Sequence, residues 1–283
     1  MILMSPALNV GRSSHEREAF LRNVGLMDVK AVSMATSVDW RDEQVVDART
    51  FLDEHGIRAG EFSSFPTEFP SDDTQTHRAA VDEYRRQLGH ARILGAQCVG
   101  VALVCHGDSA AMWSDDTWQR CMATIGDLAG YAEQEGVDLA AHPHNMSPLC
   151  SVGRYKELLR VVDSPRLKVL IDPVNLTWPH MVFRTTELVD EIFDELGDAI
   201  VSMHAKDISV SSVQPTSQGY LSVVHLDEAV PGTGQMDYAA ILRRMAQLPQ
   251  DVTLRLEHFS WEDTVVGQQY IRYVAREAGV MLH

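Results

Sequence analysis

Eight short apolar runs recur along the chain, at residues 2–9, 29–36, 57–65, 98–106, 137–144, 167–176, 200–208 and 252–259. Each is followed by a longer stretch in which apolar residues return with a helical period, as in EQVVDARTFLDEHG and DTWQRCMATIGDLAGYAEQEG. Several of these stretches end in glycine just before the next apolar run, as helices with a left-handed C-cap do. Strand–helix alternation with short links predicts parallel strands joined by helical crossovers. Eight such units in 283 residues predict an α/β fold of the closed (β/α)8 TIM-barrel type, in one domain spanning residues 1–283. An open doubly wound sheet is the competing arrangement, but no G-x-G-x-x-G follows the first apolar run. The longest irregular piece, 209–235, follows the seventh run and reads as a long loop over the C-terminal face, where barrel active sites are built.

Composition narrows the partners. A formal net charge of −16 lacks the basic footprint that a nucleic-acid backbone requires. Cys98, Cys105, Cys121 and Cys150 show no CxxC spacing and read as small buried hydrophobes of a reducing compartment. The opening MILMSPALNVGRSSHERE has neither a basic nor a long apolar signal region, and the longest strongly apolar run, CVGVALVC, is too short to span a bilayer. These features predict a cytoplasmic protein with no membrane partner. Exposed helix faces on such barrels often pair, so a homo-oligomer is compatible with the pattern.

Polar residues collect where the later strands end. DLAAHPHN finishes the fifth run with His142 and His144, which share a strand face because side chains alternate with a period of two. The sixth run ends in Asp172, the seventh in His204 with Lys206, and the eighth in Glu257. Neighbouring barrel strands would bring these ends to one centre. Two imidazoles and two carboxylates, His142, Asp172, His204 and Glu257, form a plausible donor set for a divalent transition metal. Each alone has a bland reading, as a core histidine, a helix cap, a backbone-bonded imidazole or a salt-bridge partner of Arg255. Lys206 shares a face with His204 and could hold an oxyanion. Glu61, His106, Trp178 and Arg255 lie near strand ends and are read as candidate substrate contacts, with an ion pair to Glu257 the alternative for Arg255. Gly232-Thr233-Gly234 precedes a helix, where its backbone N–H groups could meet a phosphate or simply start the helix.

The stretches LAAHPH, LIDPVN, SMHAKD, PGTGQMDYAAIL and LRLEH resemble those of the xylose-isomerase-like TIM barrels, the sugar phosphate isomerase/epimerase family. In that family a glutamate, an aspartate, a histidine and a glutamate after strands five to eight bind a divalent metal. Asp172, His204 and Glu257 match three of these positions. His142 stands in place of the first glutamate, and His144 keeps the family's histidine in Glu-x-His. Asn175 replaces a histidine three residues after the aspartate and joins the candidate substrate contacts. Pro148 replaces a further glutamate.

The resemblance implies proton transfer next to a carbonyl on a sugar or polyol, with a divalent metal as cofactor. Histidine in place of a carboxylate favours manganese, zinc or cobalt over magnesium. A metal-bound imidazole at 142 has no free lone pair, so the second base of a two-glutamate epimerase is missing. Glu257 or His144 would then move the proton, with Lys206 at the oxyanion. A one-base lyase acting on a keto-sugar or keto-glycoside remains open, as does a barrel that only binds a ligand. A phosphodiesterase of the apurinic-site endonuclease type needs more ligands and conflicts with the acidic charge.

Overall fold

The computed structural model describes residues 1–65, 69, 71–103, 109–215 and 222–283. The strands are β1 (Ile2–Met4), β2 (Ala31–Met34), β3 (Arg58–Phe62), β4 (Cys98–Ala102), β5 (Asp138–His142), β6 (Leu167–Ile171), β7 (Ile200–Ala205), β8 (Asp207–Pro215), β9 (Ser222–Ala229) and β10 (Val252–Leu256). All eight predicted apolar runs contain a barrel strand. These pair in parallel in the order β1-β10-β7-β6-β5-β4-β3-β2. Beyond Met4, Pro6 has no N–H to give, yet its carbonyl accepts from Ser33 at 3.0 Å while the Leu8 N–H donates to Ser33 O at 2.9 Å. The parallel bridge Ala7↔Ser33 thereby brings the two edges of the barrel together.

The helices are α1 (Ser14–Met27), α2 (Asp42–Glu54), α3 (Thr74–Leu94), the short α4 (Ser109–Met112), α5 (Asp115–Glu135), α6 (Val152–Val162), α7 (Thr185–Leu196), α8 (Tyr238–Met245) and α9 (Trp261–Glu277). The longest two start on side-chain caps, Asp73 for α3 and Ser114 for α5, and end on Gly95 and Gly136. Both glycines take left-handed φ, 66° and 70°, as the sequence predicts for a C-cap. Among the described residues, no helix is long and apolar enough to cross a membrane.

The main core includes outward strand residues such as Val99, Val169 and Leu254 with helix residues such as Leu88, Ile125 and Ile192. A second, small apolar cluster joins Cys98, Ala140, Leu170 and Val201. Ala140 and Leu170 stand two residues before His142 and Asp172 on the same strand faces. The β6–β7 register jumps here: Val169 pairs with Ile200, but Leu170 pairs with Ser202. Val201 is the extra residue of this irregularity, and the shift puts Ser202, His204 and Lys206 on the face that Leu170 and Asp172 share.

The long irregular loop expected over 209–235 is largely a hairpin. β8 and β9 pair antiparallel from Asp207↔Ala229 to Pro215↔Ser222, with residues 216–221 outside the described set. The runs SVSSV and SVVHL carry β-branched residues that suit a two-stranded ribbon even without an apolar face.

Candidate metal centre and barrel mouth

His142 ends β5, Asp172 follows β6, His204 lies in β7 and Glu257 follows β10. The four side chains are buried, and each offers one ligand atom within 4.8 Å of those of the other three. Helix tyrosines fix the strand ends that carry them. Tyr155 of α6 reaches from its hydroxyl to Ala141 O and Leu170 O, both at 2.9 Å. Tyr238 of α8 donates to Lys206 O at 2.8 Å. Each clamp acts on backbone within two residues of a candidate ligand.

His204 has the most telling environment. Its Nε2 lies 3.1 Å from both oxygens of Glu61, so a proton there leaves Nδ1 facing the cluster. Nδ1 is 2.7 Å from Glu257 Oε1 and 3.9 Å from Asp172 Oδ2. Apart from this ion-pair contact with Glu257, Nδ1 is a buried nitrogen with no hydrogen-bond partner. Burial opposes a charge on this ring, but the carboxylates of Glu257 and Glu61 outweigh it and hold its pKa at about 9. An unsatisfied ring nitrogen between two carboxylates, with a third carboxylate orienting the ring from behind, is the donor chemistry of a divalent-metal site.

His142 complements it. Burial pushes its pKa down to about 4, against the pull of Asp172, so the imidazole is neutral and has a lone pair for a metal. Its ring stacks on Phe65 at 5.5 Å between centroids, and its Nε2 lies 3.4 Å from Asp172 Oδ2. Burial works against the charge on Asp172 too, yet Lys206 and the two histidines hold its carboxyl well below the usual range.

Lys206 stands among the carboxylates, with Nζ 2.8 Å from Asp172 Oδ2, 3.5 Å from Glu257 Oε1 and 3.3 Å from Glu228 Oε2. Burial disfavours its ammonium, but Asp172 and Glu257 more than compensate and push its pKa up. His144 lies at the exposed rim and accepts the Met146 N–H at Nδ1, 3.0 Å away. Burial lowers its pKa, so the ring is neutral and carries its proton on Nε2. In that state its Nε2–H can donate a hydrogen bond, while its accepting nitrogen is engaged by the backbone.

Among the expected substrate contacts, Glu61 and Arg255 are corrected. Glu61 is fully buried and accepts from Ser63 Oγ and Ser202 Oγ at 2.7 Å each, besides its contact with His204. Arg255 Nη1 donates to Glu61 Oε1 at 2.5 Å, and its Nε lies 3.4 Å from Glu257 Oε2, so it is an ion-pair partner. Asn175 is a strut: its N–H donates to Asp172 Oδ1 and its amide to Pro143 O, both at 3.1 Å. Trp178 lines a mostly apolar cavity of about 420 Å³ with Trp113, Trp118, Pro148, Cys150 and Arg154. His106 lies outside the described residues.

The backbone N–H groups of Gly232 and Gly234 are not open to a phosphate. Both donate to Asp207 Oδ2, at 2.9 and 3.0 Å, while Ile208 and Met236 donate to Oδ1 at 2.9 and 2.8 Å. A Cβ on Gly234 would meet Asp207 Oδ1 and Ile208 O at 2.4 Å, which is why glycine stands there. Two residues at the mouth escaped the sequence reading, Glu228 of β9 and His258 directly after Glu257. His258 Nδ1 lies 3.2 Å from Glu228 Oε1, and its backbone φ is 68°. Only the position of His258 beside Glu257 could have drawn notice.

Comparison with known proteins finds relatives of the same fold. Fructoselysine 3-epimerase of Escherichia coli O157:H7 is 25% identical over 187 residues, spanning 65% of this chain and 60% of that enzyme. A xylose isomerase-like TIM barrel protein from Mycobacterium smegmatis, solved with magnesium, superposes with a TM-score of 0.73 at 15% identity, covering 98% of this chain and 97% of that one. An L-ribulose 3-epimerase gives 0.70 at 16% identity over 99% and 97% of the two chains. The xylose isomerase-like TIM barrel family matches residues 21–274, nearly the whole barrel, and the chain belongs to that family.

Proposed function

We propose that the protein is a divalent-metal-dependent isomerase or epimerase of a small sugar or polyol. The observation that carries this reading is the buried set of four donors, with the unpartnered Nδ1 of His204 facing two carboxylates. His142, Asp172, His204 and Glu257 would hold the ion, and manganese, zinc or cobalt suits two imidazoles better than magnesium does. When bound, such an ion polarises a substrate carbonyl and makes the neighbouring carbon–hydrogen bond acidic. The curated relative and several fold neighbours are sugar epimerases, which supports this class of substrate.

The chain's own residues supply the rest. Lys206 presents an ammonium to the oxygen on which negative charge develops. His144 offers its Nε2–H to a substrate hydroxyl from the rim. Glu61 and Arg255 lie beneath and hold His204 and Glu257 in place. A second reading, elimination from a keto-sugar or keto-glycoside, draws support from His142: an imidazole at the β5 end leaves that position without a carboxylate base.

Incubation of the metal-loaded protein with D-fructose, D-tagatose, L-ribulose and fructoselysine, followed by NMR, separates the readings. The isomerase reading expects a rearranged sugar whose formation stops with a chelator. An unsaturated product favours elimination, and an unchanged panel with no bound metal contradicts both.

A further inference from the structure

A carbon-acid reaction needs a proton acceptor, and the clustered donors fill that role poorly. Glu257 is 4% exposed, lies among His204, Lys206 and Arg255, and is itself one of the four donors. The accepting nitrogen of neutral His144 is occupied by the Met146 N–H. His142 and Asp172 face each other inside the cluster. One further carboxylate reaches the mouth. Glu228 contacts Lys206 Nζ at 3.3 Å without belonging to the four-donor set, and its side chain is 33% exposed, against 4% for Glu257.

Its support is rigid. Glu228 sits opposite Ile208 at the base of the β8–β9 hairpin, beside the Asp207↔Ala229 pair. The Asp207 carboxylate ties that base to the backbone of Gly232, Gly234 and Met236. On the other side His258 Nδ1 meets both Glu228 oxygens, at 3.2 and 3.3 Å. His258 reaches this position from a left-handed backbone, φ 68°, which side-chain-bearing residues adopt at a cost and which clusters at functional sites. A local cost retained directly after a candidate ligand points to a job for the side chain so placed.

We propose that Glu228 is the proton acceptor of the reaction proposed above, on which this assignment rests, and that His258 is its positioning residue. The carbon–hydrogen bond beside the substrate carbonyl breaks and its proton bonds to a Glu228 oxygen. The bond's electron pair becomes the carbon–carbon double bond of an enediolate, and the carbonyl π pair moves onto the oxygen that Lys206 faces. Return of the proton from Glu228 to the former carbonyl carbon, as the hydroxyl proton on the first carbon passes to the oxygen that Lys206 faces, completes an isomerisation. Loss of a leaving group from the same enediolate would complete an elimination, so the assignment serves either outcome. The second glutamate lost from the end of β5 is thus matched by one delivered from the hairpin after β7.

The test follows solvent deuterium entering the carbon-bound position of D-fructose, D-tagatose, L-ribulose or fructoselysine by proton NMR, with metal content measured by elemental analysis. Glu228→Gln is expected to keep its metal and its thermal unfolding while exchange falls about 100-fold or more, the range for a lost general base. Glu257→Gln, run in parallel, is expected to lose metal. Exchange by Glu228→Gln within a few-fold of wild type overturns the assignment, as does loss of metal from that variant. Metal-loaded wild type that exchanges none of the sugars overturns the isomerase reading itself, and this assignment with it.

Discussion

Replacing Lys206 with methionine removes a buried ammonium from among three carboxylates and leaves a side chain of similar length. Asp172 and Glu257 are then two negative charges side by side in the barrel, with Arg255 at the far oxygen of Glu257 and His204 the nearest remaining cations. Removing one partner of a buried ion pair costs about 3–5 kcal/mol, mostly as uncompensated charge. The 2.8 Å contact to fully buried Asp172 puts this case towards the upper end. In a chain of this size each kcal/mol moves the melting temperature by about 2–4 °C, so metal-free Lys206→Met should melt roughly 10–15 °C below wild type. A divalent ion bound by the same carboxylates restores the missing positive charge, so saturating manganese should recover more than half of the loss. Circular-dichroism melts of both proteins, in chelator and in manganese, measure this directly. Equal melting temperatures in chelator would refute the electrostatic reasoning. A loss of equal size with and without metal would show that Lys206 and the ion do not serve the same carboxylates.

Other consequences can be checked with similar means. The His204 pKa of about 9 lies above the ordinary value of 6.5, so in metal-free protein its imidazolium contributes stability that is full below about pH 6.5 and is lost as pH rises through 9. Melting in chelator should therefore decline between pH 7 and 9.5, and the decline should flatten in His204→Gln. Asp207→Ala strands four backbone N–H groups around the hairpin base and should cost about 3 kcal/mol in denaturant titration, given 1–3 kcal/mol for each buried group left unpaired and partial rescue by water. A cost under 1 kcal/mol would mean that the hairpin base is held by other contacts.

The barrel was legible because each strand is a short apolar run and each crossover carries a helical period, two signals that survive in a single sequence. The four-donor cluster was legible for a related reason. His142, Asp172, His204 and Glu257 each sit at the end of such a run, and alternation fixes the face on which each one points. What could not be read depends on pairing across the barrel. Glu61 is 143 residues from His204, and nothing in IRAGEFSSF says that its carboxylate turns under that ring instead of towards a substrate. The extra residue Val201, which sets the face of His204 and Lys206, is likewise invisible until β6 and β7 are paired. Glu228 was missed because its strand is half exposed and lacks the apolar run that marks the barrel strands. Gly232 and Gly234 looked free for an anion only because their partner, Asp207, is a carboxylate of the chain itself.

The central claim is that His142, Asp172, His204 and Glu257 form a metal site. It is tested most directly by elemental analysis of wild type and His142→Ala, purified without chelators or a histidine tag. Close to one equivalent of a transition metal in wild type and a marked reduction in the variant are the predicted results. Equal metal in both proteins would leave His142 outside the site, and none in either after loading with manganese, zinc or cobalt would contradict the account.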